Sequence, residues 1–96
     1  MSREENKVRI LGNYEEEHID ADSWVLIPLV KGVADYQRTV FLDGCAYDIW
    51  KMIKGEKTEQ EIVSAIIDLY QVDDENAVRE DIEGFLQQLV EVGIVE

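Results

Sequence analysis

The chain has 96 residues, 46% of them hydrophobic, a single cysteine and a formal net charge of −13. A chain this short forms one domain, residues 1–96, around a single core, and no apolar run approaches the roughly 20 residues that a membrane helix needs. The negative charge is concentrated in residues 43–96, with 14 acidic and 4 basic side chains, and it argues against binding to nucleic acids or anionic lipids. The lone Cys45 and the charged start MSREENK indicate a cytoplasmic protein without a secretory signal.

The first half predicts β-strands within about residues 8–42. VRIL (Val8–Leu11) is a weak candidate, and the polar EEEHIDAD that follows is expected to be a loop or a frayed strand. WVLIPLV (Trp24–Val30) is a strong strand candidate because it is rich in β-branched and aromatic residues, with Pro28 marking an edge, bulge or bend. VKGVAD predicts a turn. YQRTVFL (Tyr36–Leu42) then alternates like a strand with one buried face.

The second half predicts three amphipathic helices, at about residues 43–54, 58–71 and 73–92. Asp43 is a candidate N-cap for the first helix, and Gly55 is placed to end it. Thr58 and Glu61 form a capping-box pattern at the second, and the third begins near Asp73 or Asp74. The fold class is therefore α+β: a small three-stranded antiparallel sheet followed by three helices, with a winged-helix outline.

The sequence predicts no catalytic residue, metal site or cofactor. His18 is the only histidine and has no second histidine or cysteine with which to share a metal, so we interpret it as an ordinary exposed residue. Cys45 lies at a helix start, where the dipole lowers a thiol pKa, but Asp43 and Asp48 oppose the thiolate, which favours a packed, inert thiol. Trp24 is interpreted as a packing residue, with contact to a ligand as the alternative.

A winged-helix outline raises the hypothesis of DNA binding, which the charge argues against. A helix of the second half would have to enter the major groove. Thr58–Gln71 contains no lysine or arginine, and Asp73–Val92 contains only Arg79 against seven acidic residues. We therefore expect no nucleic-acid partner.

Residues 42–96 resemble the PqqD family, the coenzyme PQQ synthesis protein D group. Sequences of this family contain, in order, Leu-Asn at the end of a strand, a small residue, an aliphatic residue followed by Trp, a glycine, and Thr-x-x-(Glu/Asp)-Ile. Their last helix has the form Asp-(aliphatic)-x-x-Phe-Leu-x-x-Leu and is followed by Gly-(aliphatic). The matching residues here are Leu42-Asp43, Ala46, Ile49-Trp50, Gly55, Thr58, Glu61-Ile62, Asp81-Ile82, Phe85-Leu86, Leu89 and Gly93-Ile94. Asp43 stands where the family often has Asn, and either residue can cap a helix.

The resemblance implies a RiPP recognition element, a non-catalytic adaptor that binds the leader of a ribosomally made precursor peptide. Such a domain acts as a chaperone that presents the peptide to a modifying enzyme, for example a radical SAM maturase. In relatives the leader is similar to an added strand, paired with the last strand of the sheet and facing the third helix. The positions that correspond here are Arg38, Thr39, Val40, Phe41 and Leu42 on the strand and Val78, Asp81, Ile82, Phe85 and Leu89 on the helix.

Three alternatives remain open. The first is that the aliphatic and aromatic residues of this set only pack in the core. Strand alternation predicts that the Phe41 side chain points to the opposite face from Val40 and Leu42. The domain is alternatively an interaction module of a regulatory or assembly complex that does not touch DNA. An open edge strand can also pair with its own copy, so a homodimer through Arg38–Leu42 is a third alternative.

Overall fold

The fold was analysed in a computed structural model, which describes residues 8–11 and 13–96. The elements are β1 (Tyr14–Asp20), β2 (Ser23–Val30), β3 (Val33–Ala34), a 3₁₀ helix (Tyr36–Arg38), β4 (Val40–Leu42), α1 (Gly44–Lys54), α2 (Glu59–Tyr70) and α3 (Glu75–Glu91). An antiparallel sheet is thus followed by three helices, which confirms the α+β prediction. No helix of the described part of the chain combines the length and apolar character needed to cross a membrane.

The strand β2 is the centre of the sheet. It pairs with β1 on one side, and with β4 and the two-residue β3 on the other, all antiparallel. Lys31 and Gly32 connect β2 to β3 with positive φ angles of 52° and 81°, which is the backbone of a tight two-residue hairpin. The predicted turn is therefore confirmed. Among the residues that the structure describes, the sheet has four strands where the sequence predicted three, and β3 is a short strand that the sequence did not predict.

The polar stretch expected to be a loop or frayed strand forms β1, the second longest strand. Tyr14 and Glu16 face the helices, where Glu16 accepts a hydrogen bond from the indole Nε1 of Trp50 and the Tyr14 ring meets the Trp50 ring edge-on. These partners are distant in sequence, so no local pattern reveals them. By contrast, Val8–Leu11 is not a strand of the sheet: Ile10 forms a single bridge with Val95.

The sequence predicted a strand from Tyr36 to Leu42, but the strand begins only at Val40. The prediction was therefore wrong for the first half of this segment. Asp35 accepts a hydrogen bond from the backbone N–H of Gln37 and starts a 3₁₀ turn. The Thr39 hydroxyl then donates to the Tyr36 carbonyl at 2.9 Å and closes it. Local side-chain hydrogen bonds therefore prevail over the alternating pattern in this segment.

The helices begin at the caps that the sequence predicts. The side chains of Asp43, Thr58 and Asp74 each accept a backbone N–H at their helix start. The capping box of Thr58 and Glu61 is complete, with both reciprocal hydrogen bonds formed. Each such cap stabilises its helix by about 1 kcal/mol.

The core lies between one face of the sheet and the three helices. Leu26, Val40 and Leu42 supply the sheet side, and Trp50 is fully buried at its centre. The main helical members are Ile53, Ile62, Val63, Ile82, Leu86 and Leu89. Because β4 contributes Val40 and Leu42 to this core, its backbone is held in place although the strand has only three residues.

Candidate functional site

The strand β4 has an open edge. Within the described residues its strand partner is β2, on one side. Val40 and Leu42 are 1% exposed, so their side chains serve the core and only their backbone is available at the edge. An open edge presents unpaired N–H and C=O groups to an incoming chain.

Phe41 is the exposed side chain of β4. It is 73% exposed and is the direct cross-strand neighbour of Val25 in β2. The alternation that predicted its outward direction is therefore confirmed. An exposed aromatic ring beside an open edge gives an added strand an apolar side chain to pack against.

Arg38 and Thr39 lie before β4 and not in it. Arg38 ends the 3₁₀ turn and forms an ion pair with Asp35 at 4.0 Å, and the Thr39 hydroxyl is bonded to Tyr36. Of the five residues predicted for the strand edge, three therefore lie in β4, which spans Val40–Leu42.

The five residues predicted on α3 divide by burial. Ile82 and Leu89 are core residues, exposed by 1% and 0%, and Phe85 is half-buried against the core. Val78 is nearly buried, and Asp81 is exposed. Of the five, Val78, Asp81 and Ile82 lie together along one groove.

This groove, with a cavity volume of about 270 Å³, lies where the start of α1, the end of α2 and the first half of α3 meet. Cys45, which lines the groove at the start of α1, follows the last residue of β4 by three positions in the sequence. Its lining consists of Cys45, Ile49, Ile66, Tyr70, Val72, Ala77, Val78, Asp81 and Ile82. The sequence did not predict this groove, because the meeting of three helices has no local signal.

The rim of the groove is acidic. The pKa of the Cys45 thiol is raised above its ordinary value, first by burial and then by the Asp43 carboxylate, with Asp48 and Asp81 acting in the same direction. The Tyr70 hydroxyl donates to Asp48 Oδ2 at 2.6 Å, and this hydrogen bond raises the pKa of Tyr70 to about 12. Both groups therefore stay protonated and neutral near pH 7, as expected for an inert thiol.

The two candidate residues of the first half, His18 and Trp24, belong to an aromatic stack. The Trp24 ring lies 5.0 Å from the His18 ring and 3.9 Å from the Tyr47 ring, nearly parallel to both. His18 is exposed, as predicted, but it lies in β1 and not in a loop. Trp24 thus packs against two aromatic rings, which supports its interpretation as a packing residue.

No group of three or more histidine, cysteine or carboxylate residues is placed to hold a metal ion in the described residues. An open strand edge and an apolar groove are the two features of a small domain suited to holding an extended peptide, through backbone pairing and a side-chain pocket.

The comparisons with known proteins identify the family. Residues 23–95 match the family model of coenzyme PQQ synthesis protein D (PqqD), so the chain belongs to the PqqD family. The match begins at β2, well before the motifs that carry the resemblance at Leu42. It covers the open edge and the groove.

Among solved structures, the chain is similar to TbiB1 in complex with the TbiA(beta) leader peptide. The identity is 32% and the TM-score 0.74, over 92% of this chain and 94% of TbiB1. No curated protein matches the sequence.

Proposed function

We propose that this protein is a RiPP recognition element: a domain that binds the leader of a precursor peptide as an added strand on β4. The observation that carries the proposal is the open edge of Val40–Leu42, which two core side chains hold in place, on a domain that also has an apolar groove between its helices. The similarity to a structure solved with a leader peptide supports the same function.

The short length of β4 limits how much of the binding free energy can come from strand pairing. A three-residue strand offers only a few backbone hydrogen bonds, each contributing about 1 kcal/mol net. Burial of one large apolar side chain contributes about 1.5–3 kcal/mol. Nanomolar to micromolar binding, about −8 to −12 kcal/mol, therefore requires contacts with Phe41 and the groove in addition to the strand.

We further propose that the protein is an adaptor and not an enzyme, and that it delivers the peptide to a modifying enzyme of the radical SAM maturase type. The protonated thiol of Cys45 supports a non-catalytic role, because a thiol is a poor nucleophile compared with a thiolate. The single cysteine also fits a reducing compartment, in keeping with the cytoplasmic location expected from the sequence.

An NMR amide titration with synthetic leader peptides from short open reading frames beside the gene tests the proposal. Strand addition predicts saturable shifts at Val40–Leu42 and along the groove residues of α3, with smaller changes in β1. Spectra that move only at the exposed acidic residues of α3 would favour the interaction-module alternative. Spectra that no leader changes would refute the recognition-element proposal.

A further inference from the structure

We propose that the leader places an apolar side chain in the groove between α1, α2 and α3 and a neighbouring lysine or arginine against Asp81 at its rim. This inference rests on the proposed function and specifies the chemistry of the peptide that the site takes.

The apolar half of the inference follows from the groove walls. Ile49, Ile66 and Val78 retain 6%, 4% and 7% exposure, whereas Ile53, Ile62 and Leu89 in the same three helices retain 1% or less. The groove is therefore an opening onto the core, lined by aliphatic side chains that an incoming apolar group can cover. Its volume of about 270 Å³ exceeds that of a single water site and lies just below the usual range for drug-sized ligands.

The basic half of the inference follows from the state of three carboxylates near Cys45. Asp43 caps α1 by accepting the Ala46 N–H at 2.8 Å. Asp48 accepts from Tyr70 and forms an ion pair with Lys51 at 3.3 Å. Asp81 is exposed and, within residues 8–11 and 13–96, has neither an ion pair nor a side-chain hydrogen bond, so its charge is available to a ligand.

Two cationic side chains, Lys51 of α1 and Arg79 of α3, already have partners other than Asp81. Lys51 is paired with Asp48, and Arg79 of α3 contacts Gln60 and Glu75. The rim beside the apolar walls thus keeps an uncompensated negative charge, on a protein whose net charge is already −13. A peptide with a cation next to its apolar side chain is complementary to this surface, and one with a carboxylate there is repelled.

The test uses a leader peptide that saturates the protein in the amide titration, and measures its Kd by calorimetry. Asp81→Asn is the test variant, and Glu83→Gln is the matched control. Glu83 is an exposed carboxylate on the same helix that borders a separate depression with Glu59 and Glu80. Both substitutions change one exposed charge, so neither is expected to disturb folding.

We expect Asp81→Asn to weaken binding about two- to fivefold and Glu83→Gln to leave the Kd unchanged. One Lys→Gln or Arg→Gln peptide should lose as much as Asp81→Asn, with no further loss when the two changes are combined. In the reversed pair, Asp81→Lys should bind the corresponding Glu peptide more tightly than the wild-type protein does.

A leader that shifts the β4 amides and binds Asp81→Asn as tightly as Glu83→Gln would overturn this inference and leave the proposed function intact. A leader that carries no lysine or arginine and still binds tightly would overturn it in the same way. Failure of every leader to bind would refute the proposed function, and this inference with it.

Discussion

The two outer strands of the sheet, β1 and β4, differ in length, charge and anchoring. β1 has seven residues, three consecutive glutamates and a register shift between His18 and Asp20. β4 has three residues, no charge and the exposed ring of Phe41. Charges and bulges are the usual protection of an edge strand against unwanted pairing. The charged side chains of β1 therefore protect its edge against pairing, whereas β4 has no charged side chain and only its short length limits pairing.

The largest effect is expected from removal of the residue that ties β1 to the helices. Trp50 is 0% exposed, contacts Tyr14 and donates to Glu16. Trp50→Ala should lower the free energy of unfolding by about 3–5 kcal/mol, measured by urea denaturation. Trp24→Ala should cost less, because Trp24 is only half-buried although it stacks on His18 of β1 and Tyr47 of α1; equal losses would show that this stack holds β1 as firmly as Trp50 does.

The next effect separates the two edges in binding. Phe41→Ala should weaken leader binding about tenfold, because an added strand loses its aromatic neighbour, while stability changes little at this exposed position. Ile19→Ala on β1, where the side chain is 54% exposed, is the matched control and should leave the Kd unchanged. Calorimetry with one leader decides between them, and an equal loss from Ile19→Ala would show that β4 is not the preferred edge.

A smaller effect is expected at Cys45, which lines the groove between the helices. Because its pKa is raised, alkylation by iodoacetamide at pH 8 should be slower in the folded protein than in urea, and a bound leader should slow it severalfold more. The pKa of Cys45 is higher in the folded chain than the ordinary thiol value of 9.0, so the protonated thiol stabilises the fold at pH values below 9.0. This stabilisation is lost as the pH rises through the pKa of the folded state. Alkylation that is unaffected by a saturating leader would separate the groove from the peptide site.

The smallest effect concerns the charges of β1. Glu15→Gln combined with Glu17→Gln removes two of its exposed carboxylates and leaves the contact of Glu16 with Trp50 in place. Self-association, measured by sedimentation, should rise slightly because the edge loses part of its protection, while leader binding should not change. A gain in leader affinity would mean that β1 competes with β4 for the peptide.

The helices were predictable from sequence because their determinants are local. The cap of Asp43 and the capping box of Thr58 and Glu61 involve residues three positions apart, and a pattern of that range is visible in the sequence. The outward direction of Phe41 followed from alternation in the same way.

Elements that depend on distant contacts were missed. The strand β1 is held through Glu16 and Trp50, 34 residues apart, and its polar side chains conceal it. The groove is formed by residues from three helices. Val78 and Asp81 were predicted as peptide-binding residues from the family resemblance alone, while Tyr70, Val72 and Ala77 carried no signal of a site. The 3₁₀ turn at Tyr36 was local but ambiguous, because the same residues alternate like a strand.

The bridge between Ile10 and Val95 brings two segments distant in sequence side by side. The Leu11 N–H donates to the Ile94 carbonyl at 2.9 Å, and the Glu96 N–H donates to the Arg9 carbonyl at 3.0 Å. Strands paired in this way lie about 4.8 Å apart. The backbone around Arg9 and the backbone around Glu96 are therefore held side by side, so a change that breaks this pairing is expected to loosen both segments together.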